Sequence, residues 1–156
     1  MRLTDHFSLE EMVASQTASR LGIDNTPSPE VLERLQRLCE TILEPARVAL
    51  GPIIVSSGFR SPAVDAAISR AVPNKYPSAH QFGDAADLIP LAVPKLTLAR
   101  WIVRHVPFDQ VIAEYGYRHE PAWIHVSAAP TNAGGGALRG NVLRILHGTG
   151  YEPMVL

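Results

Sequence analysis

The stretch SAHQFGDAAD, residues 78 to 87, holds a histidine and an aspartate seven positions apart. Imidazole nitrogens and carboxylate oxygens are the usual ligands of catalytic zinc, which takes three protein ligands and leaves the fourth position to water. Gly83 allows a sharp backbone turn between His80 and the short apolar run that carries Asp87. The spacing alone leaves two interpretations open, a metal site or a turn followed by a half-buried strand.

His125 is the third candidate ligand, because it lies inside the apolar run WIHVS. A polar ring in such a run needs a hydrogen-bond partner or a metal. The remaining histidines have simpler explanations at the terminus, at a helix end, in a polar loop or in the tail: His6, His105, His119 and His147. A ligand pair from one loop–strand unit and a third ligand from a distant strand would form a feasible catalytic zinc site.

Helix-start signals collect in the first half of the chain. Ser8 followed by Glu11 predicts a capping box and a short helix. Ser28 before Pro29 begins a long amphipathic helix, which Pro45 is expected to kink or end. Two further helices are expected, one starting at Ser61-Pro62 and one spanning residues 97–106.

Strand signals collect in the second half, with local connections between them. Short apolar segments predict strands over residues 53–57, 84–90, 108–115 and 122–128. The segments 71–79 and 132–136 are expected to be loops, and the tail from 141 to 147 is ambiguous between strand and helix. This order predicts an α+β fold with helices packed on one side of a mainly antiparallel sheet.

The bulk composition describes one ordinary globular domain over residues 1–156. An apolar content of 46% and a charged content of 19% argue against disorder. A net charge of −1 gives no reason to expect nucleic acid or an anionic membrane as a partner, and nothing suggests more than a monomer. No signal segment or membrane span is visible, so we expect synthesis in the cytoplasm and release by another route.

Three ordered blocks resemble a known family. Residues 78–87 match the S-x-H-x-x-G-x-A-x-D signature of the zinc D-alanyl-D-alanine carboxypeptidase family, which includes peptidoglycan endopeptidases and many phage endolysins. SGFRSPAVDAA (57–67) and WIHVS (123–127) resemble two further family blocks in the expected order. LTDHFSLEEMVAS and NTPSPEVLERLQRL resemble the subgroup found in phages and prophages, so the resemblance covers nearly the whole chain.

The resemblance implies a hedgehog/DD-peptidase-like fold and zinc as the cofactor, with His80, Asp87 and His125 as its ligands. Arg60 matches the family arginine that faces the substrate, where a guanidinium can grip a peptide carboxylate or carbonyl with two hydrogen bonds. Ser78 either ties its loop or reaches the substrate. The substrate implied is a peptidoglycan stem peptide, cut by carboxypeptidase or endopeptidase action.

The general base is the point at which the chain departs from the family pattern. Many family members place an Asp or Glu three residues before the last histidine, and here that residue is Ala122. Glu114 and Glu120 are the two remaining candidates. If the flanking strands pair as a hairpin, Glu114 falls opposite His125 on the same face, and we prefer it as the base. Glu120 lies in the loop between the strands.

The expected function is therefore an endolysin-type zinc peptidase that reaches the cell wall by holin-type export or as part of a virion. Ala122 supports an alternative, a catalytically silent zinc-binding module or a virion structural component of the same fold.

Overall fold

Six strands form one sheet within the residues that the computed structural model describes, 1–69, 77–130 and 136–156. The spatial order is β1-β2-β4-β3-β5-β6. Neighbouring strands are antiparallel except β3 and β5, which are parallel. The strands are β1 (Ile53–Ser57), β2 (Ala85–Pro90), β3 (Gln110–Glu114), β4 (Trp123–Ser127), β5 (Asn141–Ile145) and β6 (Glu152–Pro153).

The helices begin where the sequence places caps. Ser8 and Glu11 form the predicted capping box, and the side chains of Ser28 and Ser61 cap their helices with Pro at the first turn. The α-helices are α1 (Leu9–Val13), α2 (Gln16–Leu21), α3 (Pro29–Leu38), α4 (Glu44–Leu50), α5 (Pro62–Ile68) and α6 (Lys95–His105). A 3₁₀ turn spans Ala79–Phe82.

The chain passes Pro45 without leaving the helical conformation. A π-helical turn, Cys39–Leu43, joins α3 to α4, and the N–H of Glu44 bonds to the carbonyl of Cys39. The wider turn leaves Pro45 in the first turn of α4, where its missing N–H costs little. The helix that we expected Pro45 to kink or end therefore continues past it, through a turn with π-helical instead of α-helical hydrogen bonding.

One face of the sheet is apolar and packs on the helices. Alternate positions of β2 and β4 belong to the core, among them Leu88, Ile124 and Val126. Leu38 and Ile102, from α3 and α6, are fully buried in the same cluster. The opposite face carries Asp87 and His125, and we call it the site face. A mainly antiparallel sheet with helices packed on its apolar face confirms the predicted α+β architecture.

The ambiguous tail is resolved in favour of a strand, since Asn141–Ile145 pairs with β3 along its whole length. The predicted loop 71–79 falls outside the described residues except for positions 77–79, and the predicted loop 132–136 does so except for position 136. No helix in the described part of the chain has the length and apolarity that crossing a bilayer requires.

Candidate metal centre

Three side chains converge on the site face within hydrogen-bonding distance of one another. His125 Nδ1 lies 3.0 Å from Asp87 Oδ1 and 3.2 Å from His80 Nε2. His80 Nε2 lies 3.4 Å from the same oxygen of Asp87. All three residues are buried, with 3–9% of their surface exposed. They are the three residues that the sequence predicts as ligands.

Strand pairing and one tight turn bring the cluster together. Asp87 on β2 is the register partner of His125 on β4, so the two side chains stand side by side on the site face. His80 belongs to the 3₁₀ turn that ends at Gly83, whose φ of 75° suits glycine. The turn therefore folds His80 back over the strand that begins two residues later.

The protein determines which nitrogen of His80 is available. His80 Nδ1 lies 2.7 Å from the carbonyl oxygen of Gly58. A carbonyl only accepts hydrogen bonds, so Nδ1 carries the proton and Nε2 presents its lone pair to the cluster. Gly58 itself packs against the backbone of Met12, where a Cβ atom would lie 2.3 Å from the carbonyl oxygen, so a side chain at this position would displace the carbonyl that holds His80.

The charge state of the cluster also suits a cation. Burial lowers the pKa of His80, which favours the neutral imidazole that binds metals. Burial alone would raise the pKa of Asp87, but the two imidazoles beside it hold that pKa well below its ordinary value. Burial alone would lower the pKa of His125, but its hydrogen bond to Asp87 and the charge of that carboxylate raise it. The site thus offers a carboxylate and, in His80, a neutral imidazole in a buried setting.

The distances fit zinc. Zinc binds imidazole nitrogen at about 2.0–2.1 Å, so the ligand atoms of a tetrahedral site lie about 3.3 Å apart. The three separations within the cluster are 3.0, 3.2 and 3.4 Å. Two imidazole nitrogens and one carboxylate oxygen are a donor set typical of catalytic zinc, and a fourth corner is left for water.

Glu114 is the carboxylate nearest to this cluster on the neighbouring strand. Its Oε1 lies 3.8 Å from His125 Nδ1, and its Oε2 accepts a hydrogen bond of 2.9 Å from Trp123 Nε1. The register pairs Glu114 with Trp123 and His125 with Ile112, so the prediction that Glu114 lies directly opposite His125 was wrong. Glu114 lies two residues beyond Ile112, the partner of His125, so it is a diagonal neighbour of His125 on the same site face.

Burial raises the pKa of the Glu114 carboxyl, and the negative charge of Asp87 raises it further. The charge of His125 lowers the pKa but does not outweigh these two effects. A carboxyl with a raised pKa holds a proton more readily near neutral pH, as a residue that shuttles protons must.

Glu120, the other candidate base, is exposed in the turn between β3 and β4. Within the described residues, no hydrogen bond or ion pair joins its side chain to the cluster. The geometry therefore favours Glu114.

Arg60 joins the cluster to a second buried carboxylate. Its Nη2 lies 3.1 Å from Asp87 Oδ2, its Nη1 lies 3.2 Å from Asp65 Oδ1, and its Nε donates to Ser57 Oγ. Asp65 is only 1% exposed, and the sequence alone did not single it out. The available signal was its place as the only charged residue of the otherwise apolar helix α5.

Ser78 ties its loop to the same carboxylate. Its hydroxyl donates to Asp65 Oδ2 at 3.1 Å, and the Gln81 amide donates to the same oxygen at 2.7 Å. Asp65 thus connects the SGFR block to the block that carries His80. A substrate contact by Ser78 stays a prediction.

Two pockets of about 350 Å³ flank the cluster. One, which we call the Arg60 pocket, is lined by Arg60, Asp87 and Trp123 among others. The other, the Tyr151 pocket, is lined by Glu114, His125 and Tyr151 together with neighbouring residues. The cluster therefore lies between two cavities that can hold parts of a ligand.

A family model described as peptidase M15 matches residues 5–127. The chain belongs to the peptidase M15 family. This is the zinc D-Ala-D-Ala carboxypeptidase family, so the resemblance drawn from the sequence blocks is confirmed. No curated protein matches the chain.

Membership of the M15 family implies a metallopeptidase, and the cluster is where the chain can hold the metal. The matched span includes His80, Asp87 and His125 together with Arg60 and Glu114. Strands β5 and β6 lie beyond it.

Proposed function

We propose that this M15 peptidase is a zinc-dependent hydrolase of peptidoglycan stem peptides with an endolysin-type role. The observation that carries the proposal is the convergence of three ligand atoms within 3.0–3.4 Å of one another, with the Glu114 carboxylate 3.8 Å from His125. Membership of the zinc D-Ala-D-Ala carboxypeptidase family supports the substrate class.

His80, Asp87 and His125 would hold the zinc ion, which would supply Lewis acidity to the scissile carbonyl and lower the pKa of the water bound to it. Glu114 accepts a proton from the attacking water while the water oxygen forms a bond to the carbonyl carbon. The C–N bond then breaks, and Glu114 returns the proton to the leaving nitrogen. One water is consumed, and one carboxylate and one ammonium group are formed, the second proton passing from the new carboxylic acid to the amine.

Arg60 supplies positive charge beside the reacting carbonyl. Its guanidinium is held by Asp65 and Ser57, so its direction is set before a substrate arrives. Such a preorganised donor can stabilise negative charge that develops on an oxygen during hydrolysis. Trp123 holds the Glu114 carboxylate through the indole N–H, which keeps the base close to the cluster.

The endolysin-type role rests on the N-terminal sequence blocks that resemble the phage and prophage subgroup. In this role the protein reaches the wall after holin-type export or as a virion component. Detection of the chain in purified particles would distinguish the second route from the first.

A silent zinc-binding module is the second candidate function, and Ala122 is the observation that favours it, because many family members carry a carboxylate there. The two functions differ in one measurable property. A silent module binds zinc and releases no amino groups from cell walls.

The test is mass analysis of the fragments released from purified peptidoglycan by the zinc-loaded protein and by the protein in excess chelator. We expect new peptide ends only with zinc, and their masses identify the bond that is cut. Zinc binding without any new peptide end would favour the silent module and contradict the proposed hydrolase.

A further inference from the structure

The C-terminal hairpin forms one wall of the Tyr151 pocket. It consists of β5, β6 and the turn between them, and it lies beyond the residues 5–127 that the family model matches. Whatever this hairpin adds to the site is therefore a feature of this chain outside the matched family region. A role for the hairpin in substrate binding rests on the proposed function.

The strand register places Tyr151 on the site face. Leu143 pairs with Ile112 on one side and with Pro153 on the other, and Ile112 pairs with His125. Since side chains alternate along an extended segment, Tyr151 lies on the same face as Pro153, two residues later. Tyr151 accordingly lines the same pocket as His125.

Ion pairs and a closed turn hold the hairpin in place. Glu152, next to Tyr151, bonds to Arg144 at 2.9 Å and lies 3.4 Å from Arg118 of the β3–β4 turn. Thr149 closes the turn through hydrogen bonds to the backbone of Leu146. Tyr151 is thus carried by an element that is fixed at both ends.

The hydroxyl of Tyr151 is available to a ligand. Its side chain is partly open to solvent, since 61% of the residue is exposed, and no hydrogen bond joins its hydroxyl to another group in the described residues. The other hydroxyl in the pocket wall, that of Ser78, already donates to Asp65.

The pocket also favours a neutral donor. Among the described residues that line it there is no lysine or arginine, and Glu114 contributes a carboxylate. The phenol of a tyrosine is protonated near neutral pH and is therefore able to donate. A peptide carbonyl oxygen accepts such a hydrogen bond without bringing a second negative charge near Glu114.

We propose that Tyr151 is a substrate-contacting residue: its phenol hydroxyl donates a hydrogen bond to a backbone carbonyl oxygen of the peptide bound in the Tyr151 pocket. The contact is made to a part of the peptide beside the scissile bond, so it contributes to binding in the ground state and the transition state alike. Its loss should appear mainly in KM.

The experiment compares Tyr151→Phe with wild type on a soluble muropeptide prepared from purified peptidoglycan, with zinc affinity measured in parallel. The ring stays in place, so only the hydroxyl is removed. We expect kcat/KM to fall about 5-fold through KM, the usual effect of one neutral hydrogen bond, with zinc affinity unchanged. Tyr117→Phe is the matched control, because Tyr117 is 80% exposed on the β3–β4 turn, and it should keep wild-type kinetics.

Unchanged kinetics in Tyr151→Phe, an equal loss in Tyr117→Phe, or a loss that accompanies weaker zinc binding would each overturn the assignment of Tyr151. If wild type releases no new peptide ends, the proposed function fails and this inference falls with it. The activity of the wild-type protein therefore distinguishes a failure of the proposed function from a failure of the Tyr151 assignment alone.

Discussion

At the scale of single residues, the proposed hydrolysis depends most on where the candidate general base lies. Glu114 lies 3.8 Å from His125 and is held by Trp123, whereas Glu120 is exposed in a turn. Ala122, where many family members carry the base, directly precedes β4, and its N–H bonds to the carbonyl of Glu114 at 2.9 Å. In the proposed mechanism the base therefore lies on β3, beside the strand that carries His125, instead of at position 122.

Glu114→Gln should lower kcat by about 10²–10⁴-fold, because an amide cannot accept and return the proton of the attacking water. Zinc content should stay at the wild-type level, since Glu114 is not one of the three converging ligands. Rates on muropeptides together with zinc analysis of the purified variant provide the measurement.

Glu120→Gln serves as the control and should remain within about twofold of the wild-type kcat, as is usual for an exposed residue outside the site. Full activity in Glu114→Gln, or an equal loss in Glu120→Gln, would show that the base has been assigned to the wrong residue.

At the scale of elements, the turn before β2 sets the position of His80 relative to Asp87, two of the three candidate ligands. Gly83 has a φ of 75°, and a Cβ there would lie 2.7 Å from the carbonyl oxygen of Val31. Helix α3 therefore packs directly on the backbone between His80 and Asp87. A side chain at this position would have to move the turn or the helix.

Gly83→Ala should lower the free energy of unfolding by about 3 kcal/mol, the sum of a positive-φ penalty and a backbone clash, and should weaken zinc binding. Gly148 provides a matched control, since its φ is also 75° but a Cβ added there would meet no atom within 4 Å. Gly148→Ala should cost about 1–2 kcal/mol and leave zinc binding intact. Denaturant unfolding and zinc titration would show both effects, and equal costs in the two variants would contradict the packing argument.

An ion pair between the buried Asp109 and Arg139 holds the segment that leads into β5. Asp109 is fully buried and accepts hydrogen bonds from the backbone and the guanidinium of Arg139, at 2.9–3.2 Å. Burial alone would raise the pKa of Asp109, but the bonds from Arg139 outweigh it and hold that pKa below its ordinary value. The pair therefore stabilises the fold while Asp109 is ionised, and this contribution is lost as pH falls through the lowered pKa.

Asp109→Asn should lower the free energy of unfolding by about 2 kcal/mol at pH 7, less than for a fully buried pair because the Arg139 side chain is 42% exposed. The difference from wild type should narrow below about pH 4, where Asp109 of the unfolded chain begins to take up a proton while the folded protein still holds it ionised. Urea unfolding of both proteins between pH 3 and 7 measures this. A difference that stays constant over the whole range would contradict an ionic contribution.

At the scale of the whole molecule, the sequence predicted those features that depend on contiguous residues. The capping motifs located α1, α3 and α5, and the S-x-H-x-x-G-x-A-x-D block together with WIHVS selected the three residues that converge. The expected hairpin also placed Glu114 on the same face as His125, although directly opposite it. The helix starts need only local spacing, whereas the three residues were selected by the resemblance of their blocks to a known family.

The features that the sequence did not predict depend on contacts between distant segments. The register of β3 and β4 follows from the closure of their turn, which pairs Glu114 with Trp123 instead of His125. Asp65 reaches the site because α5 lies beside Ser78, which bonds to its carboxylate. Tyr151 reaches the site because β5, the strand that begins its hairpin, pairs with β3. A five-residue strand in an ambiguous tail carries too little periodicity to reveal such a placement.

The most direct test of the account is a zinc titration of the metal-free protein, in which bound zinc and the release of amino groups from peptidoglycan are measured on the same samples. We predict that release rises in proportion to bound zinc and saturates at about one ion per chain, as a single three-ligand site requires. His80→Ala should show neither the tight site nor the release. Release by the metal-free protein in excess chelator would contradict the account, and so would full zinc occupancy without any release.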